Sequence, residues 1–253
     1  MTALMELDEV ELAFGGLVAI GGLSLRVDKG EVLAVIGPNG AGKTSMLNLV
    51  TRVFTARRGQ IRFKGQDIAQ MPRARIAHLG IARTFQNIEL FDAATVLDNL
   101  LLGRHRFGSG RWWQQILRTP ALTRLEESHR AKAEEVIELL DLSPWRNARV
   151  AGLPYGVRKV VELGRALCAE PELLFLDEPA SGLNPEETRD LAFWIEDIRT
   201  ELGITVVMIE HDMSLVSAVA DRVVCMAQGK MLAEGTPAKV QGHPDVIAAY
   251  LGT

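Results

Sequence analysis

Gly37-Pro38-Asn39-Gly40-Ala41-Gly42-Lys43-Thr44 has the composition and order of a loop that holds a polyphosphate. It follows the apolar run Val32-Leu33-Ala34-Val35-Ile36 and precedes a helical pattern that opens near Ser45. Glycines permit left-handed turns, so successive backbone N–H groups can converge on one concavity. A helix starting there aims its positive end at the same point. Lys43 can reach the β- and γ-phosphates, and the Thr44 hydroxyl can ligate Mg²⁺. A strand before and a helix after make this a nucleoside triphosphate site, walled by Gly37, Pro38, Asn39, Gly40, Ala41, Gly42, Lys43, Thr44 and Ser45.

The second chemical group is Leu173-Leu174-Phe175-Leu176-Asp177-Glu178, an apolar run ending in two carboxylates. Such a run reads as a buried parallel strand, and ligands of open α/β sheets sit beyond the carboxyl ends of strands. Asp177 is then placed to hold Mg²⁺ beside Thr44. Strand alternation turns Glu178 elsewhere, where it can act as general base on the water that attacks the γ-phosphate. Alone, the pair also reads as an acidic helix start before Pro179; the phosphate loop upstream favours the metal-and-water reading. Gln86, in Arg83-Thr84-Phe85-Gln86, can reach Mg²⁺ or the water through its amide oxygen and so sense the γ-phosphate. His211 follows an apolar run at 204–209 and Glu210, which puts its ring at another strand end, near the phosphates. No Asn-Lys-x-Asp segment, which would select guanine, occurs in the chain.

These groups need a sheet to align them. Segments 6–14, 23–27, 31–36 and 60–63 read as strands, the first of them antiparallel, with a helix over 43–54. From about 87 to 145 the pattern is mostly helical, clearest at 96–102 and 131–142. Strand and helix then alternate: helix to 169, strand 173–176, helix 185–202, strand 204–209, helix 213–219, strand 222–226. That rhythm predicts a mainly parallel sheet with flanking helices. The fold class is therefore α/β: a P-loop NTPase core with an N-terminal antiparallel β-subdomain and an inserted α-helical subdomain. One domain over 1–253 is expected, with core 1–86 and 171–253 and helical subdomain 87–170.

The 253 residues suffice for one large domain, and 47% hydrophobic with 24% charged residues is ordinary for a soluble protein. A net charge of −4 offers no footprint for nucleic acid. The acidic N-terminus lacks a signal pattern, and no apolar run approaches the ~18–20 residues of a membrane span. A cytosolic chain is expected, with any membrane role supplied by a partner. The two cysteines, Cys168 and Cys225, lie in apolar periodic segments and read as core residues rather than a disulfide or metal pair.

Taken in order, the loop 37–44, Gln86, Leu153-Pro154-Tyr155-Gly156, the run 173–178, Ser181-Gly182-Leu183-Asn184 and His211 resemble the ATP-binding-cassette (ABC) transporter ATPases, nearly end to end. Within that family the chain looks most like the ATP-binding subunit of high-affinity branched-chain amino acid importers. Arg83-Thr84-Phe85-Gln86, the extra segment 103–130, Leu-Pro-Tyr-Gly and the ending His243-Pro244-Asp245-Val246-Ile247-Ala248-Ala249-Tyr250-Leu251-Gly252 carry that narrower likeness. The resemblance implies a head-to-tail dimer, homomeric or with a paralogous ATPase, that sandwiches two ATP molecules between one subunit's phosphate loop and the other's signature. It further implies transmembrane permease subunits, indirectly a solute-binding protein, and a peripheral place on the cytoplasmic face of the inner membrane. Urea, short amides or another small solute are alternative cargoes. A soluble cassette acting on DNA or ribosomes is disfavoured, because the chain has neither a long coiled coil nor a second cassette. Phe14 matches the aromatic that stacks on adenine; the rival reading is a core phenylalanine.

The signature departs from the family's Leu-Ser-Gly-Gly-Gln at Pro154, Tyr155 and Val157. What survives is backbone: Gly156 permits close approach, and a helix from 157, with Val160, Leu163 and Leu167 at helical spacing, presents its N-terminus to the facing γ-phosphate. Arg104, Arg106, Arg111, Arg118 and Arg124 share a stretch without acidic residues, with Trp112, Trp113, Ile116 and Leu117 at amphipathic spacing. It reads either as a contact with permease or anionic lipid, or as a surface helix packing its tryptophans inward. The region just after Gln86, with Asn87, Ile88 and Phe91, is the better docking candidate because it adjoins the γ-phosphate sensor.

Overall fold

The computed structural model describes residues 3–84, 88–108 and 120–251. The chain divides into two compact units, Met1–Arg83 with Glu172–Thr253, and Thr84–Pro171. The first unit holds two sheets. In one, β1 (Ala3–Phe14), β2 (Leu17–Asp28), β4 (Arg58–Phe63) and β5 (Gln66–Asp67) run antiparallel in the order β2-β1-β4-β5. The expected second strand, 23–27, is longer by six residues at its start, because Gly21 pairs with Glu11 while Gly22, at φ 78°, is the extra residue at a register shift that the strand runs through. β1 likewise runs on from residue 3 through a register shift between Leu7 and Val10, where Glu9 has φ 47°.

The other sheet has the order β10-β9-β3-β8-β7-β6. Its strands are β3 (Val32–Ile36), β6 (Ile81–Arg83), β7 (Leu173–Asp177), β8 (Thr205–Ile209), β9 (Arg222–Ala227) and β10 (Lys230–Gly235). β3, β7 and β8 are buried at every residue, as their unbroken apolar runs require. Five strands are parallel, and only β10 pairs antiparallel. Gly37, Glu178 and Glu210 therefore leave β3, β7 and β8 on one edge of the sheet. α1 (Lys43–Val50) ends four residues short of expectation, since Arg52 turns left-handed at φ 57°, a conformation without a sequence signal outside glycine. α2 (Arg73–His78) leads into β6.

The second unit packs α3 (Val96–Leu102), α4 (Pro120–Leu139) and α5 (Tyr155–Leu167) on one another. Its core includes Leu100, Val136, Ile137, Val161 and Leu163. Gly164 lets α5 approach closely: a Cβ there would lie 3.2 Å from Leu140 and 3.5 Å from Leu100. α4 begins eleven residues before the expected 131 and stops ahead of Asp141, which takes φ 53° in place of a glycine. Asn99, fully buried, accepts from Phe91 N–H at 2.9 Å and donates to the Phe91 and Thr95 carbonyls. It fixes the segment that leads into α3. The first unit closes with α6 (Pro185–Thr200), α7 (Met213–Val219), α8 (Pro237–Gln241) and α9 (Pro244–Leu251).

Candidate nucleotide site

The loop between β3 and α1 is built by its glycines. Gly37 has φ 143°, and a Cβ on it would sit 2.1 Å from the Met226 carbonyl oxygen. Gly42 caps α1 at φ 99°, where a Cβ would meet the Ala19 carbonyl at 2.8 Å. Neither position admits another residue without displacing backbone. Lys43 folds back over the loop, its Nζ donating to the Gly37 and Pro38 carbonyls at 2.6 and 3.1 Å. Burial pushes the ammonium below the usual lysine range, against the pull of Glu178, Cys225 and Asp177. Asn39, Gly40 and Thr44 are exposed, Pro38 and Ser45 are half-buried, and Ala41 is buried against the core. The loop thus brings Lys43 and the exposed Thr44 together with the solvent-facing residues Asn39 and Gly40, a composition that suits a triphosphate.

Asp177 closes β7, buried, paired in register with Ile209. Its Oδ2 accepts from Arg83 Nη2 at 2.6 Å, and Arg83 Nη1 donates to Asn48 Oδ1 of α1 at 2.7 Å. One guanidinium thus joins the end of β6, the helix of the phosphate loop and the expected metal carboxylate. Sequence reasoning passed over Arg83 as part of a motif; nothing in its spacing marks a partner so far along the chain. Glu178 lies beyond the strand, so alternation does not set its direction. Its backbone is left-handed at φ 50°, with its N–H on the Ile209 carbonyl at 2.9 Å. A non-glycine residue held there is strained, a conformation it shares with Glu9, Arg52 and Asp141.

His211 is exposed and follows the buried Glu210. Asp212 caps α7 through Ser214 N–H at 2.8 Å, and bonds to Ser214 hold its carboxyl below the usual range. Lys43, Asp177, Glu178 and His211 are thus gathered at one sheet edge of one unit. Phe14 is 46% exposed and meets Phe54 at a ring-centroid distance of 4.9 Å with the rings near perpendicular, which removes the core reading. Tyr250 of α9 was not singled out from the sequence for chemistry; its hydroxyl accepts the Gly37 N–H at 2.8 Å. No local pattern joins a C-terminal tyrosine to a loop so distant in sequence.

In the other unit, α5 begins at Tyr155 rather than 157, behind Pro154 as N-cap. Proline fits there because its missing N–H would have had no helical partner, but it brings no side-chain cap. Tyr155 is exposed, and Gly156 is buried in the first turn. Arg104 leaves the expected cationic stretch: it is buried, paired with Glu170 and bonded to the Cys168 carbonyl at 3.0 Å. Arg106 also bonds the Glu170 carbonyl, at 3.1 Å. Gln86 and Asn87, and the tryptophan segment with Arg111, Trp112, Trp113, Ile116, Leu117 and Arg118, lie outside the described residues. Phe91 is strongly exposed. Both cysteines are buried and free, and burial raises the Cys168 thiol to about 12. Among the described residues no helix is long and apolar enough to cross a membrane.

The profile of the ABC transporter family matches residues 20–181, and that of the branched-chain amino acid ATP-binding cassette transporters matches residues 230–253. The chain is 41% identical over 249 residues to the high-affinity branched-chain amino acid transport ATP-binding protein BraF of Pseudomonas aeruginosa, covering 98% of each. It is 38% identical, at the same coverage, to LivG of Salmonella typhimurium, which carries the same description. The ADP conformation of an ATP-binding cassette from an ABC transporter superposes with a TM-score of 0.87 at 31% identity over 100% of both chains.

Proposed function

This chain belongs to the ABC transporter family as an ATP-binding subunit, and on that premise we propose that it powers import of branched-chain or related hydrophobic amino acids. Its fold is that of the ABC ATPase, and such ATPases bind ATP. The cargo reading is supported by the names of its relatives and by the match at residues 230–253. The observation that carries the mechanism is the gathering of Lys43, Asp177, Glu178 and His211 at the carboxyl ends of β3, β7 and β8. Cassette 1–253 acts as one domain, with the helical subdomain carrying the signature.

In this reading the loop N–H groups and Lys43 bind the phosphates, and Phe14 stacks on adenine. Glu178 takes the proton of the attacking water, with His211 and Gln86 contacting the γ-phosphate and the water. The donor set fits Mg²⁺, which binds through one or two protein oxygens plus phosphates: Thr44 brings an exposed hydroxyl and Asp177 a carboxylate at the end of β7. Thr44, Asp177 and Gln86 would hold it, and it would neutralise charge on the β- and γ-phosphates. A second cassette, identical or paralogous, supplies Tyr155 and Gly156 across the γ-phosphate. Permease subunits dock near Phe91, at the cytoplasmic face of the membrane, and receive solute from a binding protein.

The test is ATP turnover by the purified chain together with its membrane partners. Lys43→Ala loses binding and hydrolysis together, whereas Glu178→Gln keeps ATP binding and loses about 100-fold or more in kcat. Full turnover in Glu178→Gln rejects the base assignment. Co-purified membrane subunits, reconstituted in vesicles, then take up labelled leucine in preference to urea. The reverse preference rejects the cargo.

A further inference from the structure

We propose that Glu210 is a positioning residue for hydrolysis, a single carboxylate that fastens the loop after Glu178 to the loop bearing His211. Its side chain is wholly buried. Oε1 accepts the Ala180 N–H at 2.7 Å, while Oε2 accepts the N–H groups of His211 and Asp212 at 2.8 and 3.0 Å. Its own N–H donates to the Val35 carbonyl at 3.3 Å, on the strand that runs into the phosphate loop. Glu178 hangs from the neighbouring residue, through its bond to the Ile209 carbonyl, and Ser181 N–H closes the turn on the Glu178 carbonyl at 3.1 Å. Residues 178–181 are thus suspended from the end of β8 at two points, and one of them is Glu210.

The His211 ring is 63% exposed, and its Nδ1 stays 3.8 Å from Oε2, so backbone rather than ring is what Glu210 holds. A displacement of His211 on meeting a phosphate therefore pulls on one oxygen of a planar group whose other oxygen sets Ala180, two residues from Glu178. A carboxylate suits this because both oxygens accept. A carboxamide would turn N–H groups against one set of donors and leave them unsatisfied. The inference rests on the ATPase reading above, in which Glu178 and His211 act on the same phosphate.

Glu210→Gln, Glu210→Asp, His211→Ala and Glu210→Gln/His211→Ala in the full chain, assayed well below their unfolding transitions, test it. The expected result is a fall in kcat of about 10- to 100-fold for Glu210→Gln with KM for ATP unchanged. Glu210→Asp, with both acceptors kept but shortened, falls between. The double variant is no slower than His211→Ala alone, because the two changes cut one linkage. Multiplicative losses, or a loss that appears in KM with kcat intact, overturn the proposal in favour of a loop staple. Amide hydrogen exchange reads the linkage without turnover: exchange at Ala180 and at His211 accelerates together in Glu210→Gln. Acceleration at one alone overturns the coupling. A wild-type chain without turnover defeats the ATPase reading instead, and the exchange arm still decides the linkage.

Discussion

At the residue scale, Lys43 is the group whose protonation the structure ties to ligand binding. Burial disfavours its charged form, so its folded pKa lies below the usual lysine value. Phosphates beside Nζ favour the charged form, so ATP raises that pKa again. Across the alkaline window between the two values, binding draws a proton into the site. As pH rises through the window, ATP affinity falls. The sign is opposite for folding without ATP: the unfolded chain binds more protons at Lys43 than the folded one, so stability rises with pH there. Calorimetric titration of ATP in two buffers of different ionisation heat reads the uptake directly. Equal heats in both buffers at alkaline pH reject the coupling. At this scale the sequence was most informative about Gly37 and Gly42, whose φ values and crowded Cβ positions leave no other choice. It was silent on Arg83 and Glu210, because a partner far along the chain leaves no local pattern.

At the scale of elements, the strands that aim the site were legible because burial on both faces writes an unbroken apolar run, as in β3, β7 and β8. α6 was expected from the strand–helix rhythm, and the structure fixes its start with a capping box, in which Asn184 accepts from Glu187 N–H and Glu187 reaches back to Asn184 N–H. β10 was missed because its residues are exposed or half-buried and carry no clear alternation. α9 was noted only as an ending, yet through Tyr250 it touches the first glycine of the phosphate loop. Gly37 is buried, so losing the hydroxyl would strand its N–H at about 1–3 kcal/mol. Tyr250→Phe keeps the ring and removes only that acceptor. The expected result is a melting temperature lower by at least about 2–4 °C, together with weaker ATP binding. Thermal scans with and without ATP check it. An unchanged melting temperature and affinity would make α9 a bystander to the loop.

At the scale of the whole molecule, the described residues leave the phosphate loop open to solvent. Asn39, Gly40, Thr44 and His211 all face solvent, so ATP held by Lys43 would keep one side of its γ-phosphate wet. Hydrolysis needs a positioned water and oriented donors, which open solvent does not give. In its own unit, α5 starts at an exposed Tyr155 without a side-chain cap. Such an end attracts phosphate. If a second copy supplies that end, the complex forms only while the γ-phosphate is present and dissolves once it is cleaved. Glu178→Gln, which stalls cleavage, should therefore double its mass with ATP and Mg²⁺ in light scattering and remain a monomer with ADP. Tyr155→Asp, added to that variant, sets a carboxylate against the partner's phosphate. It should restore the monomer while each chain still binds ATP. A monomer in saturating ATP without the second change would exclude self-pairing and leave the paralogous cassette as the source of the cover. A dimer that persists in ADP, or survives Tyr155→Asp, would place the contact away from the phosphate altogether.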